Sequence, residues 1–356
     1  MLTVTLKKLA AQVILVGGSY LFAGCSTAEI VNADVQKITV EPWTEAVLSV
    51  TDLDVTARFF KEIGGYIEKH RDVMDPSEIK AWGLPSKASA EVMVLGPRGR
   101  QQGSVRLVTF SNAGNRQPMR PGSRAWDTGC YFSMMIRMKD MQSIYDDAVA
   151  MGWWTETPIT RLTFGESSLN VVIFRGPDGI QLQGYERLKP PLPPTIPDFD
   201  RLTRPFNMMQ IVTDRDATYN FFTAVLGFDT FYKGKPYTAK IPTPTPLGIP
   251  INLTTTAAYQ AGIVYPIEGE FGRMEMIEMM GLDGADYSAR CTAPNLGILA
   301  VRFRVDSAKV AADKIQARGW KISEPLMKVT IKGLGDVMLF SVKAPDGAII
   351  QFYSPA

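Results

Sequence analysis

The chain has 356 residues, 46% of them apolar and 21% charged, with a formal net charge of +2. That length allows two domains of ordinary size, each with its own core. The near-zero balance gives no electrostatic reason to expect nucleic acid or an anionic membrane surface as partner.

The N-terminus differs from the rest. Lys7 and Lys8 precede an apolar run that ends in the small residues before Cys25, the pattern of a secretory signal. Phe22-Ala23-Gly24-Cys25 resembles the lipobox of bacterial lipoproteins, with Phe where Leu is usual. The resemblance implies cleavage before Cys25 and lipidation of its sulfur, and Ser26 after it implies the outer membrane. The alternative is an ordinary signal peptide with a chance cysteine. Loss of residues 1–24 would remove both lysines and leave the side-chain charge balanced at zero. Residues 25–43 then read as an extended tether. Cys130 and Cys291 are the remaining cysteines; in an oxidising compartment they either pair or stay as buried thiols.

From Glu45 a pattern begins that the chain later repeats. A short apolar strand, Ala46–Val50, leads to capping oxygens at Thr51-Asp52, then to a helical run with Phe59, Phe60 and Ile63 inward, ending at Gly64-Gly65. Asp214, Phe221, Phe222 and Gly227 stand 162 positions after Asp52, Phe59, Phe60 and Gly65. A second strand–helix pair, Ser133–Met138 and Met141–Met151, ends at Gly152-Trp153. Its counterpart ends at Gly319-Trp320, 167 positions later. Each half closes on a Pro-Asp-Gly reversal between two apolar runs, within Val171–Tyr185 and Phe340–Tyr353; Pro sets the turn, Asp caps it and Gly takes the positive φ. Matches in register over this span mean internal duplication. A proline-rich stretch, residues 190–204, separates the halves.

The chain therefore contains four βαβββ units. VTDLDVTARFFKEIGGY, VTDRDATYNFFTAVLGF and the two Pro-Asp-Gly hairpins resemble the vicinal oxygen chelate superfamily of glyoxalases, bleomycin-resistance proteins and dioxygenases, over residues 45–187 and 206–354. The resemblance implies an α+β fold in which the four units pair into two glyoxalase-like half-open β cups, one per domain: residues 44–189 and residues 205–356.

In that family a divalent metal sits in the cup, held by His, Glu or Gln from the first and last strands of each unit. The matching positions here are Glu45, Arg106, Ser133 and Gln183 in the first cup, and Asn207, Glu275, Ala300 (or Leu299) and Gln351 in the second. Each set has one carboxylate and no imidazole, and Arg106 brings a cation to the metal's place. The expectation is a metal-free protein without cofactor. The one histidine, His70, reads as a solvated loop residue. Glu45 and Arg106 read as an ion pair on the floor of the first cup. The insertions at Lys80–Pro85 and Pro242–Pro250 read as loops able to rim the cups.

Three readings follow. The leading one is a metal-free, lipid-anchored binding protein of the cell envelope, periplasm-facing or at the cell surface, taking a small partly apolar ligand or a protein partner. The second is a lyase or isomerase acting on a small carbonyl compound, with Glu45 or Glu275 as base. The third is a structural component of an envelope complex.

Overall fold

A computed structural model describes residues 35–99, 104–122 and 124–356. The signal segment, Cys25 and residues 25–34 of the expected tether lie outside the described residues. Among those described, no helix is long and apolar enough to cross a membrane.

Four units appear as expected. The first holds β1 (Glu45–Ser49), α1 (Leu53–Arg58), β2 (Ile67–Val73), α2 (Pro76–Ala81), β3 (Ser89–Gly96) and β4 (Ser104–Ser111). The second holds β5 (Ser133–Arg137), α3 (Met141–Ala150), β6 (Thr160–Phe164), β7 (Ser167–Arg175) and β8 (Gln181–Lys189). The third holds β9 (Asn207–Ile211), α4 (Arg215–Asn220), β10 (Asp229–Lys233), β11 (Ala258–Tyr265) and β12 (Arg273–Met280). The fourth holds β13 (Gly297–Arg304), α5 (Ala308–Ala317), β14 (Glu324–Ile331), β15 (Gly335–Lys343) and β16 (Ile349–Pro355).

The repeated signals act as their residue types dictate. Asp52 accepts from the amides of Asp54 and Val55, and Asp214 from that of Ala217, which caps α1 and α4. Both helices widen into one π-helical turn, Phe59–Ile63 and Phe221–Val225. The chain then turns out through Gly65 and Gly227, at φ +69° and +72°, a region open to glycine at little cost. Both Pro-Asp-Gly segments join antiparallel strands, β7 to β8 and β15 to β16.

The strands form two curled eight-stranded sheets. One runs β14-β15-β16-β13-β1-β4-β3-β2, the other β10-β11-β12-β9-β5-β8-β7-β6. The pairing of units differs from the expectation of one cup per half. Unit 1 shares a sheet with unit 4, through antiparallel β1 and β13. Unit 2 shares one with unit 3, through β5 and β9. The reason lies on the helix side. Phe59 of unit 1 stacks on Trp153 of unit 2 with ring centroids 4.3 Å apart, and Phe221 of unit 3 meets Trp320 of unit 4 at 4.7 Å. Sequential units thus pack through their helix-bearing faces, and each first-strand edge is left to a unit of the other half. One continuous apolar core draws residues from all four units.

The turn aspartates lock this arrangement. Asp178 does not cap its own turn: its carboxylate accepts from the amide of Thr51 at 2.7 Å, in unit 1. Asp346 accepts from the amide of Thr213 at 2.9 Å and from the Thr218 hydroxyl, in unit 3. Cys130 and Cys291, on the approaches to β5 and β13, are disulfide-bonded with Cα atoms 5.2 Å apart, tying one sheet to the other.

Two smaller expectations also change. Residues 35–43 are packed rather than extended as a free tether. Ile38 and Trp43 are buried, the Ile38 amide donates to Leu226 O, and the Arg318 guanidinium donates to Gln36 O. Apolar side chains there gain more from burial than from water. His70 is exposed as expected, but on the edge strand β2 rather than in a loop.

Candidate functional site

Alternate residues of a strand share a face, so one face of each sheet collects side chains from its four central strands. In the sheet of units 1 and 4 that face is charged. Glu45 accepts two hydrogen bonds from Arg106, at 2.9 and 2.8 Å, and a third from Arg302 at 3.2 Å. Arg302 also donates to Gln351 Oε1 at 2.8 Å and to Glu78 at 2.5 Å. Both guanidiniums are fully buried. Two glutamates face the two guanidiniums.

Glu78 comes from the inserted helix α2, which Asp75 caps and Pro76 starts. The insertion also sends Trp82 beneath the Arg302 guanidinium, 5.7 Å from the ring centroid. This cup is filled by its own chain. Burial works to raise the Glu45 carboxyl, but the two arginines outweigh it and hold the group below its ordinary range. Glu45 is therefore an ionised, fully engaged carboxylate, which removes it as a general base. The expected Glu45–Arg106 pair is present, whereas Ser133 and Gln183 belong to the other cup. Ala300 carries no polar group to the floor; Arg302, two residues on and on the same face, does.

The cup of units 2 and 3 has a different chemistry. Ser133 Oγ donates to Gln183 Oε1 at 3.3 Å, and Gln183 Nε2 donates to the Tyr185 hydroxyl at 2.6 Å. Asn207 Nδ2 donates to Glu275 Oε2 at 2.8 Å. Among the described residues, Glu275 makes no ion pair, and it is only 2% exposed. On the same face lies an apolar cluster of Met135, Leu169, Ile173, Met209 and Tyr259, with Leu247 and Ile249 from the long insertion of unit 3 packed into it. Burial pushes the Glu275 carboxyl up to about 7, against the Asn207 hydrogen bond and the Arg273 charge. The Tyr185 hydroxyl is pushed up as well, by burial and then by Glu275.

Asn207 Oδ1 is buried with no partner. A half-turn of that amide would offer an acceptor to a protonated Glu275, so the pair can serve either protonation state.

The donors of neither cup suit a first-row divalent ion. In one, two guanidiniums hold the only carboxylate among the family positions; in the other, a single carboxylate faces amides and a hydroxyl, with no imidazole. Among the described residues no three His, Cys, Asp or Glu side chains are grouped to hold a metal.

Residues 204–352 match the Glyoxalase/Bleomycin resistance protein/Dioxygenase superfamily. No curated protein matches the chain. Among solved structures, glyoxalase I from Zea mays is similar at a TM-score of 0.58 and 16% identity, over 88% of this chain and 92% of that one. A putative dioxygenase from Bacillus subtilis is similar at 0.51 and 10% identity, over 90% and 86%. At such identities the likeness is one of fold, and the duplicated glyoxalase-like architecture stands on it.

Sequence reasoning named one first-strand and one last-strand position in each unit from the family resemblance, and grouped them by half of the chain rather than by sheet. It missed Arg302 and Tyr185, which strand alternation two residues beyond Ala300 and Gln183 would have found. It also missed Glu78, which belongs to an insertion outside the repeat and has no alignment signal.

Arg302→Met would leave Glu78 buried without its cation and take from Glu45 one of the two arginines that hold it ionised. We expect a loss of about 3–5 kcal/mol in urea unfolding, with much of it regained in Arg302→Met/Glu78→Met; additive losses would contradict a coupled network. For Glu275 the folded carboxyl titrates at about 7 against an ordinary 4.5. The native state therefore holds the extra proton between these values, and stability falls as pH rises from about 4.5 through 7, by on the order of 3 kcal/mol. Glu275→Gln should flatten that part of the stability–pH curve, and an unchanged slope would rule Glu275 out as its source.

Proposed function

We propose that this is a metal-independent binding protein whose ligand site is the cup of units 2 and 3. It takes a small, partly apolar molecule and holds a polar group of it at Glu275. The observation that carries the reading is the contrast between the cups. In one, Glu45, Arg106 and Gln351 are all engaged in the chain's own network of charges. In the other, a lone buried carboxylate with a single amide donor faces methionine and aliphatic walls, whose flexible thioethers adapt to varied shapes.

Hexanol serves as a neutral probe. It should raise the unfolding temperature of the wild type, and Met209→Trp, which fills the cup, should abolish the shift. No stabilisation, or a shift that survives Met209→Trp, would overturn the site.

A second reading has one observation in its favour. A carboxyl that titrates near 7 is tuned for proton abstraction beside a carbonyl at neutral pH. Incubation with 2-hexanone in heavy water, followed by NMR, separates the two. Protein-dependent deuterium uptake at the α-carbon, lost in Glu275→Gln, would make the protein a lyase or isomerase; no uptake leaves it a binder.

The signal-like N-terminus with Cys25 supports placing this protein in the cell envelope, held by lipid at the outer membrane. Cys25→Ser should then release it into the soluble periplasmic fraction, and unchanged membrane association would end the lipoprotein reading.

A further inference from the structure

The strands that present Ser133, Gln183 and Glu275 continue, on the same face, into arginine. Two residues past Met135 is Arg137, two past Tyr185 is Arg187, and two before Glu275 is Arg273. Strand alternation puts all three on the cup side, and the register sets them at one end: Arg137 pairs with Tyr185, and Arg273 with Asn207. Among the described residues, one carboxylate is ion-paired at this end. Glu270 takes two hydrogen bonds from Arg137, both at 2.9 Å.

Among the described residues neither Arg187 nor Arg273 makes an ion pair. Arg273 is 9% exposed; its Nε donates to Gly269 O at 2.9 Å, and its guanidinium lies 3.7 Å from the Phe231 ring centroid. Arg187 is half-buried, and its Nε is buried with no partner at all. Guanidiniums pressed on aromatic faces keep their in-plane N–H groups for an acceptor. These guanidiniums are largely withdrawn from water, and among the described residues Glu270 is the one carboxylate ion-paired with them; Glu275 acts on Arg273 only through space, so the chain compensates this end of the cup only in part.

We infer that the arginine end of this cup, Arg187 and Arg273 beside the Arg137–Glu270 pair, is a subsite for the oxyanion head of an amphipathic ligand, a carboxylate or a phosphate. The inference rests on the reading of the cup as a ligand site and adds the charge of what it takes. The apolar body lies along the Met135–Met209 wall. Glu275 is one strand repeat from Arg273, roughly 7 Å, so it meets the ligand beyond its head. Burial, with Arg137 nearby, already makes both charged arginines less comfortable: Arg273 is lowered to about 10, and Arg187 is lowered too. A bound oxyanion relieves that cost through charge-assisted, bidentate hydrogen bonds.

The test compares hexanoate, hexyl phosphate and hexanol by calorimetry on the full chain and on Arg187→Gln and Arg273→Gln. We expect at least one anion to bind tenfold or more tighter than hexanol, and which one names the head group. Each substitution should cost that anion tenfold or more while hexanol binding holds, and added salt should weaken the anion alone. Hexanol binding as tightly as both anions, or anion affinity unchanged in both variants, overturns the subsite and leaves the cup standing. If none of the three probes binds, the cup reading itself fails and the subsite with it. Should Arg273→Gln not fold, the half-buried Arg187→Gln decides alone.

Discussion

Everything in this molecule depends on the antiparallel meeting of first strands from opposite halves of the chain, β1 with β13 and β5 with β9. Each joins two four-stranded units into one sheet and brings together polar residues distant in sequence, 257 positions apart for Glu45 and Arg302. Without β13 beside β1, Arg302 would not reach Glu45; without β9 beside β5, Asn207 and Glu275 would not face Ser133 and Gln183. The helix layer closes the ring the other way, unit 1 on unit 2 and unit 3 on unit 4, through the Phe59–Trp153 and Phe221–Trp320 stacks. Such long-range pairing costs chain entropy before it returns contacts. The disulfide and the Asp178 and Asp346 bridges, each spanning two units, offset part of that cost.

The duplicated frame carries two unequal cups, and electrostatics explains how one fold holds both. A pair of arginines at a cup floor is tolerable only if anions come with them, since an isolated buried charge costs several kcal/mol. Glu45 supplies one anion and the inserted α2 the other. The consequence is steric as well as electrical: the segment that delivers Glu78 also delivers Trp82, and the space is occupied. In the other cup the insertion contributes Leu247 and Ile249 instead. It closes over the walls without adding charge, so Glu275 remains a lone acid in an apolar setting.

How much of this the sequence discloses follows from the range of each signal. Asp52, Gly65, Asp214 and Gly227 act within a few residues of themselves, and their repeat at a fixed interval revealed both the units and their number. The same register led to Glu45, Arg106, Gln183, Asn207, Glu275 and Gln351, all of which lie on cup floors. Which floor they share was not legible, because a strand edge carries no label for its partner and the nearest unit in sequence was the natural choice. The aromatic landmarks held the missing clue. In the sequence Phe59 and Trp153 are separate marks of two helices, yet two large rings at matching places in consecutive units need a surface to bury, and each supplies the other's.

The unequal cups also bear on what the duplication achieves. A twofold frame with two equivalent sites would need each polar group to be copied in both sheets, and here almost none is: at the repeat intervals Glu45 answers to Asn207, and Arg302 to Met135, across the central strand pairs. What the two sheets share instead is their scaffold, the caps, the glycine exits and the ring stacks. Stability and chemistry are thus assigned to different residues of the same strands. The helix-facing positions must stay apolar in all four units, because one core joins them. The cup-facing positions are bound only by local charge balance, and there one sheet has closed its site with two ion-paired arginines while the other keeps a protonatable carboxylate.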